Sequence, residues 1–172
     1  MSLPARFIER TRALFGARGD RIVEALEHGQ ELRAARVNTL KADRSEFFRL
    51  RGAFPPLPFG DDGFYADETI RGADPLHAAG LYYIQEPSAQ LPVTLARPFI
   101  RGRVLDLCAA PGGKTCQLAA CQPDVLYANE VVYKRTAALK SNLERLGVRN
   151  ALVTCNTAEE YAARLPGFFD AV

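Results

Sequence analysis

The sequence has no apolar run approaching the roughly 20 residues that cross a membrane, and its opening residues lack the apolar stretch of a secretory leader. Neither a membrane partner nor export is expected, and a cytoplasmic setting is. The four cysteines (Cys108, Cys116, Cys121 and Cys155) show no C-x-x-C spacing, so no metal site is expected. They read as buried thiols, which suits a reducing compartment. Excess charge of one sign is scarce too. The net charge of +2 does not by itself announce nucleic-acid binding. Internal repeats and low-complexity tracts are absent. What is present is a globular composition, 48% hydrophobic and 24% charged over 172 residues, enough for one full domain or two small ones. The first 51 residues carry eleven Lys and Arg against seven Asp and Glu. Such a segment suits phosphates, and a solvated helix surface accounts for it equally well.

One stretch organises the rest. Residues 104–115 read Val-Leu-Asp-Leu-Cys-Ala-Ala-Pro-Gly-Gly-Lys-Thr. This is an apolar strand carrying Asp106, a small-residue turn from Cys108 to Gly113, and a helix start at Lys114. Glycines let a ligand approach the backbone, and the first N–H groups of the helix face whatever lies in the turn. A phosphate-cradling Walker A loop would need glycine where Cys108 stands, and the dinucleotide pattern G-x-G-x-x-G is missing as well. A second acid, Glu130, closes the next strand pattern, where a carboxylate accepts hydrogen bonds from both ribose hydroxyls. The ligand expected is a nucleoside with little negative charge, and S-adenosylmethionine fits.

Around this stretch the chain reads as helices from about Pro4 to Phe15 and from Asp20 to near Gly29, then a strand from Arg36 to Lys41. A short helix capped by Asp43 runs through Leu50, and a proline-rich loop including Asp61 and Asp62 follows. A short strand at Phe64 and Tyr65, a strand at 81–85 and a helix capped by Ser88 come next. Strands at 103–107, 125–129 and 151–155 then alternate with helices at 114–120, 133–146 and 158–165. The segment from Phe168 to Val172 reads as the first residues of a fourth strand. That alternation predicts an α/β parallel, doubly wound sheet with its ligand at the carboxyl ends of the strands. The expected division is a small α+β domain over 1–75 and a ligand-binding domain over 76–172.

The run from Asp106 to Lys114 resembles the cofactor motif of the RNA cytosine-C5 methyltransferases, the Sun/Fmu/nucleolar-protein family. Arg36-Val-Asn-Thr-Leu-Lys41 and the segment from Gly80 to Ala89 resemble its bacterial branch acting on 16S ribosomal RNA. The resemblance implies a class I S-adenosylmethionine-dependent methyltransferase, Rossmann-like and incomplete here, preceded by an α+β domain, with ribosomal RNA as partner. It implies that Cys108, Ala109, Ala110, Pro111, Gly112 and Gly113 line the methionine end of the cofactor and that Lys114 pairs with its carboxylate. Glu130 would hold the ribose, with Arg135 nearby. The adenine contact would fall at Thr157, with Asn156 beside it. Arg36, Asn38 and Lys41 would face RNA, and Tyr82 and Tyr83 are stacking or core residues. In the family a cysteine thiolate adds to cytosine C6, C5 takes the methyl group, a base removes the C5 proton and the thiolate leaves. The nucleophile belongs to an Asp-x-Pro-Cys motif and a second cysteine, which assists release, to a Thr-Cys motif. Neither motif occurs in these 172 residues. Both cysteines are expected beyond Val172, so no catalytic residue is assigned within the chain, and the 172 residues are not expected to methylate RNA by themselves.

Overall fold

A computed structural model describes residues 3–29, 32–60 and 62–172, so Asp61 of the expected loop lies outside the described residues. The chain divides into two compact units, residues 1–32 and 33–172.

The first unit is a helical hairpin of α1 (Ala5–Phe15) and α2 (Ala17–His28). Gly16, at φ +53°, reverses the chain in a single residue, so the second helix begins three residues before Asp20. Thr11, Gly19 and Val23 are buried in this unit, and Arg12 Nε donates to Asp20 at 2.7 Å.

The second unit opens with an antiparallel sheet in the order β2 (Gly63–Tyr65), β1 (Ala34–Val37), β3 (Tyr82–Ile84). β3 pairs with β1 through Arg36 opposite Tyr83, so this sheet joins residues on both sides of position 75. The strand at β1 ends at Val37, before the expected Lys41. Asn38 stops it, because its side-chain oxygen accepts the Leu40 N–H at 3.2 Å and its carbonyl accepts the Lys41 N–H at 3.0 Å, turning the chain. α3 (Arg44–Arg51) is capped as expected by Asp43, which accepts the Glu46 N–H. Phe47, Phe64, Ile70 and Tyr82 form the core under this sheet, the Phe47 and Phe64 rings standing 5.5 Å apart.

Further helix starts differ from the sequence reading. A four-residue helix, α4 (Pro75–Ala78), is capped by Asp74 with proline in its first turn, too short to leave a periodic pattern. α5 (Pro87–Ala96) is capped by Glu86, not Ser88. Pro87 occupies the first helical position, where its missing N–H costs nothing, and this places the cap one residue before it.

Thereafter the chain alternates: β4 (Arg103–Asp106), α6 (Gly113–Ala120), β5 (Val125–Asn129), α7 (Thr136–Leu146), β6 (Ala151–Thr154) and α8 (Ala158–Arg164). β4, β5 and β6 form a parallel sheet in that order. The expected fourth strand is reduced to a single bridge, in which Ala171 pairs in parallel with Val104 on the free side of β4. The fold is thus the expected α/β architecture, a parallel sheet preceded by an α+β segment. Val104, Leu118 and Leu126 contribute to one buried cluster, and Ala128, Leu139, Leu143 and Leu146 to another. Gly147, in the left-handed region, ends α7. Because the strands are parallel, Asp106, Asn129 and Thr154 share one edge of the sheet.

Candidate functional site

Asn129 organises that edge. It is 1% exposed, and its amide nitrogen donates to the Leu107 carbonyl at 3.1 Å and the Asn156 carbonyl at 2.9 Å. Its oxygen accepts from Thr154 Oγ1 at 3.1 Å and from the Asn156 N–H at 2.9 Å, and its carbonyl accepts the Ala109 N–H at 2.7 Å. One side chain therefore ties together the segments leaving all three strands. The sequence reading passed over it. Its one trace there is an amide closing an otherwise apolar strand pattern, next to Glu130.

The turn after β4 is built on Asp106 and Thr115. Thr115, fully buried, donates its hydroxyl to Asp106 Oδ2 at 2.7 Å. Burial raises the Asp106 pKa above its ordinary value, against the opposing pull of the Thr115 hydroxyl and the Cys108 N–H. Asp106 thus fastens the turn from within. Ala109 and Ala110 are buried, Cys108 and Pro111 exposed. Gly112 sits at φ +113°, a conformation that side chains rarely adopt, and α6 starts at the next residue. The Ala110 carbonyl accepts from Arg135 Nη2 and the Pro111 carbonyl from Asn142 Nδ2, each at 2.9 Å. The N–H groups of Gly112, Gly113 and Lys114 have no hydrogen-bond partner among the described residues. The turn therefore presents donors outward while its carbonyls are held from behind. Lys114 is exposed in the first turn of α6.

Glu130 follows directly on β5 and is 2% exposed. One carboxylate oxygen accepts the Val132 N–H at 3.0 Å, and the other lies 3.1 Å from Arg135 Nη1. Arg135 so bridges the acid and the turn, joining two of the expected ligand-binding elements. Thr157, the position expected at the adenine contact, caps a helix. Its hydroxyl accepts the Glu160 N–H at 3.2 Å and its own N–H donates to Glu160 at 2.8 Å, a capping box that starts α8. Asn156 is partly exposed beside it, and its side chain has no hydrogen-bond partner among the described residues.

Of the residues expected to face RNA, Arg36 and Asn38 are buried, and Lys41 is exposed with its ammonium bonded to main-chain carbonyls. Asn38 is 3% exposed and donates to the carbonyls of Gly80 at 2.7 Å and Leu146 at 2.8 Å. Lys41 Nζ donates to the carbonyls of Ala79 and Arg145, both at 2.8 Å. The two side chains cap the carboxyl end of α7, whose last carbonyls lack helical partners. Arg36 is buried with its Nη2 3.5 Å from the Gly113 carbonyl, and burial lowers its pKa. Tyr82 is a core residue, its hydroxyl donating to the Arg71 carbonyl. Tyr83 lies against the helix start: a Cβ on Gly113 would stand 3.1 Å from its ring.

A parallel sheet with a fastened turn after its first strand and a buried acid after its second defines an α/β domain of the class I methyltransferase type. Comparison with known proteins is more specific. The family model for the N-terminal domain of 16S rRNA methyltransferase RsmF matches residues 3–87, and that for 16S rRNA methyltransferase RsmB/F matches residues 93–172. The chain belongs to this RsmB/F family. It is 38% identical to ribosomal RNA small subunit methyltransferase F of Serratia proteamaculans, over 99% of the chain and 38% of that protein. Against the protein of that name from Escherichia coli it is also 38% identical, over 81% of the chain and 32% of the relative. The chain thus spans about a third of the length of these relatives. A crystal structure of a methyltransferase homolog protein from Pyrococcus horikoshii superposes with a TM-score of 0.80 at 33% identity, covering 94% of the chain and 55% of the other. NSun6 from the same organism, solved with SFG, has the same fold, with a TM-score of 0.75 at 17% identity over 94% of the chain and 67% of the other.

Proposed function

We propose that the protein carrying this chain transfers a methyl group from S-adenosylmethionine to C5 of cytosine in RNA, with 16S ribosomal RNA as substrate and the cytoplasm as its setting. The observation that carries the reading is the pairing of outward N–H donors at Gly112, Gly113 and Lys114 with the buried Glu130 carboxylate, both held by Arg135. These groups fit the cofactor's two polar ends. The free N–H groups and the Lys114 ammonium suit the methionine carboxylate, and Glu130 suits the ribose hydroxyls. Asn156, whose amide has no partner among the described residues, suits the adenine edge better than Thr157, whose hydroxyl already accepts a helix-cap bond. The cofactor, when bound, supplies an electrophilic methyl group on a sulfonium. The family membership and the relatives' printed names support ribosomal RNA as the acceptor.

In this reading none of the chain's four cysteines is the nucleophile. Cys116 is buried, which pushes its thiol up to about 12, so it stays protonated. Cys108 lies in the turn that would receive the cofactor. The attacking thiolate and the release cysteine are assigned to residues beyond Val172 in the longer protein, the first of them in an Asp-x-Pro-Cys motif, and the 172 residues alone are inactive. Arg36, Asn38 and Lys41 are assigned to holding the fold and not to RNA.

The test is transfer of labelled methyl from S-adenosylmethionine by the full-length protein into small-subunit RNA, with the product located by mass spectrometry. Label at cytosine C5 is expected, with about tenfold weaker cofactor binding in Glu130→Gln, the range for losing a hydrogen bond to a charged group. No label in RNA, or label at another atom, overturns the reading. Labelling of RNA by residues 1–172 alone overturns the assignment of the nucleophile.

A further inference from the structure

The rear of the turn is held by a relay that runs through α7. Asn142 Nδ2 donates to the Pro111 carbonyl at 2.9 Å. Its oxygen accepts from Arg145 Nη2 at 3.0 Å, and Arg145 Nη1 donates to the His77 carbonyl at 2.7 Å. The Arg145 guanidinium also lies over the Tyr83 ring, 5.9 Å from its centre. The backbone carbonyls of Arg145 and Leu146 are gripped in turn by Lys41 and Asn38. Residues 38–41 and 77–83 thus fix one end of a helix whose Asn142 reaches the turn.

The chemistry of each link gives the relay a direction. A guanidinium only donates, so Arg145 compels Asn142 to face it with oxygen and leaves the amide N–H groups for Pro111. The Pro111–Gly112 peptide is trans, so its carbonyl and N–H point to opposite sides. With the carbonyl held on the α7 side, the Gly112 N–H is directed away from α7, and it is one of the donors without a partner among the described residues.

We propose that Asn142, oriented by Arg145, is a positioning residue that aims the Gly112 N–H into the cofactor site. The proposal rests on the cofactor reading given above. Asn142→Asp keeps size and shape but replaces the donor with an acceptor facing the Pro111 carbonyl. Arg145→Leu removes the group that sets the amide's orientation.

The experiment measures S-adenosylmethionine affinity by calorimetry in the full-length protein. Amide hydrogen exchange without cofactor is followed across the peptide covering Leu107–Gly113 and across the antiparallel sheet. In Asn142→Asp, about tenfold weaker binding is expected, with faster exchange confined to the turn and an unchanged melting temperature. Arg145→Leu is expected to weaken binding in the same direction. It should add little on top of Asn142→Asp, since both act through one contact. Unchanged affinity and turn exchange in Asn142→Asp overturn the proposal. So does exchange that rises equally throughout the molecule, which marks a merely structural residue. Absence of binding by the unaltered protein removes the cofactor reading and the proposal with it, whereas binding that is normal before and after substitution removes the proposal alone.

Discussion

Asn129 and Asn156 hold each other reciprocally: the Asn129 amide donates to the Asn156 carbonyl, and its oxygen accepts the Asn156 N–H, both at 2.9 Å. A side chain thereby completes the backbone pairing just where β5 and β6 end. Asn129→Ala leaves the Leu107 carbonyl after β4 and the Asn156 carbonyl and N–H after β6 without that partner. The expected cost is on the order of 3 kcal/mol, read as a lower urea midpoint. Asn129→Asp is expected to be no better, because a carboxylate would face the carbonyls of Leu107 and Asn156. Near-native stability in either variant would show that Asn129 does not organise this edge.

Asp106 makes stability depend on pH in a defined direction. Burial raises its pKa above 3.8, so the folded state favours the protonated carboxyl more than the unfolded state does. The stability this brings is complete below about pH 3.8 and is lost as pH climbs through the raised folded value. Asn at this position keeps an acceptor for Thr115 and does not titrate. Asp106→Asn should therefore gain stability relative to the unaltered protein as pH rises from about 4 toward neutrality. Urea midpoints across that range measure it, and a difference that is flat or shrinks with pH contradicts it.

Gly80 is needed where β3 approaches the end of α7. Its φ is +76°, and a Cβ there would lie 2.0 Å from the Arg145 carbonyl oxygen. Gly80→Ala combines a strained backbone with a clash against main chain, and a loss on the order of 3 kcal/mol or more is expected. Asn38→Ala, which leaves the Gly80 and Leu146 carbonyls without that donor, should cost about 2 kcal/mol. Calorimetric melting of the two variants tests both figures.

The cysteines should separate by reactivity. Cys108 and Cys155 are exposed, whereas Cys116 is buried with its thiol pushed up to about 12. Maleimide at neutral pH is expected to label Cys108 and Cys155 and to leave Cys116 unmodified until the protein is denatured. Peptide mapping before and after denaturation reads the result. Rapid native labelling of Cys116 would show that this helix face is open.

The sequence by itself determined the order of elements in the parallel sheet, because apolar strand runs of four or five residues alternate with helical periodicity and glycine stops. It determined the turn from Cys108 to Gly113 as well, since only small residues and glycine permit that path of the backbone. It also placed Glu130 beside the turn, as the carboxyl ends of parallel strands must share an edge. Local chemistry was legible at Asp43, whose cap depends on neighbours three residues away. Tertiary structure alone decided the rest. Asn129, Asn142 and Arg145 act on partners remote in the chain, which no local pattern records. Arg36, Asn38 and Lys41 form a polar segment that suits a surface when read along the chain. In the fold their polar atoms satisfy the carbonyls of Ala79, Gly80, Arg145 and Leu146 and approach that of Gly113. Thr157 and Asn156 are equivalent acceptors in sequence, and the helix start at Ala158 separates them, because a cap engages the hydroxyl of one while the amide of the other has no partner among the described residues.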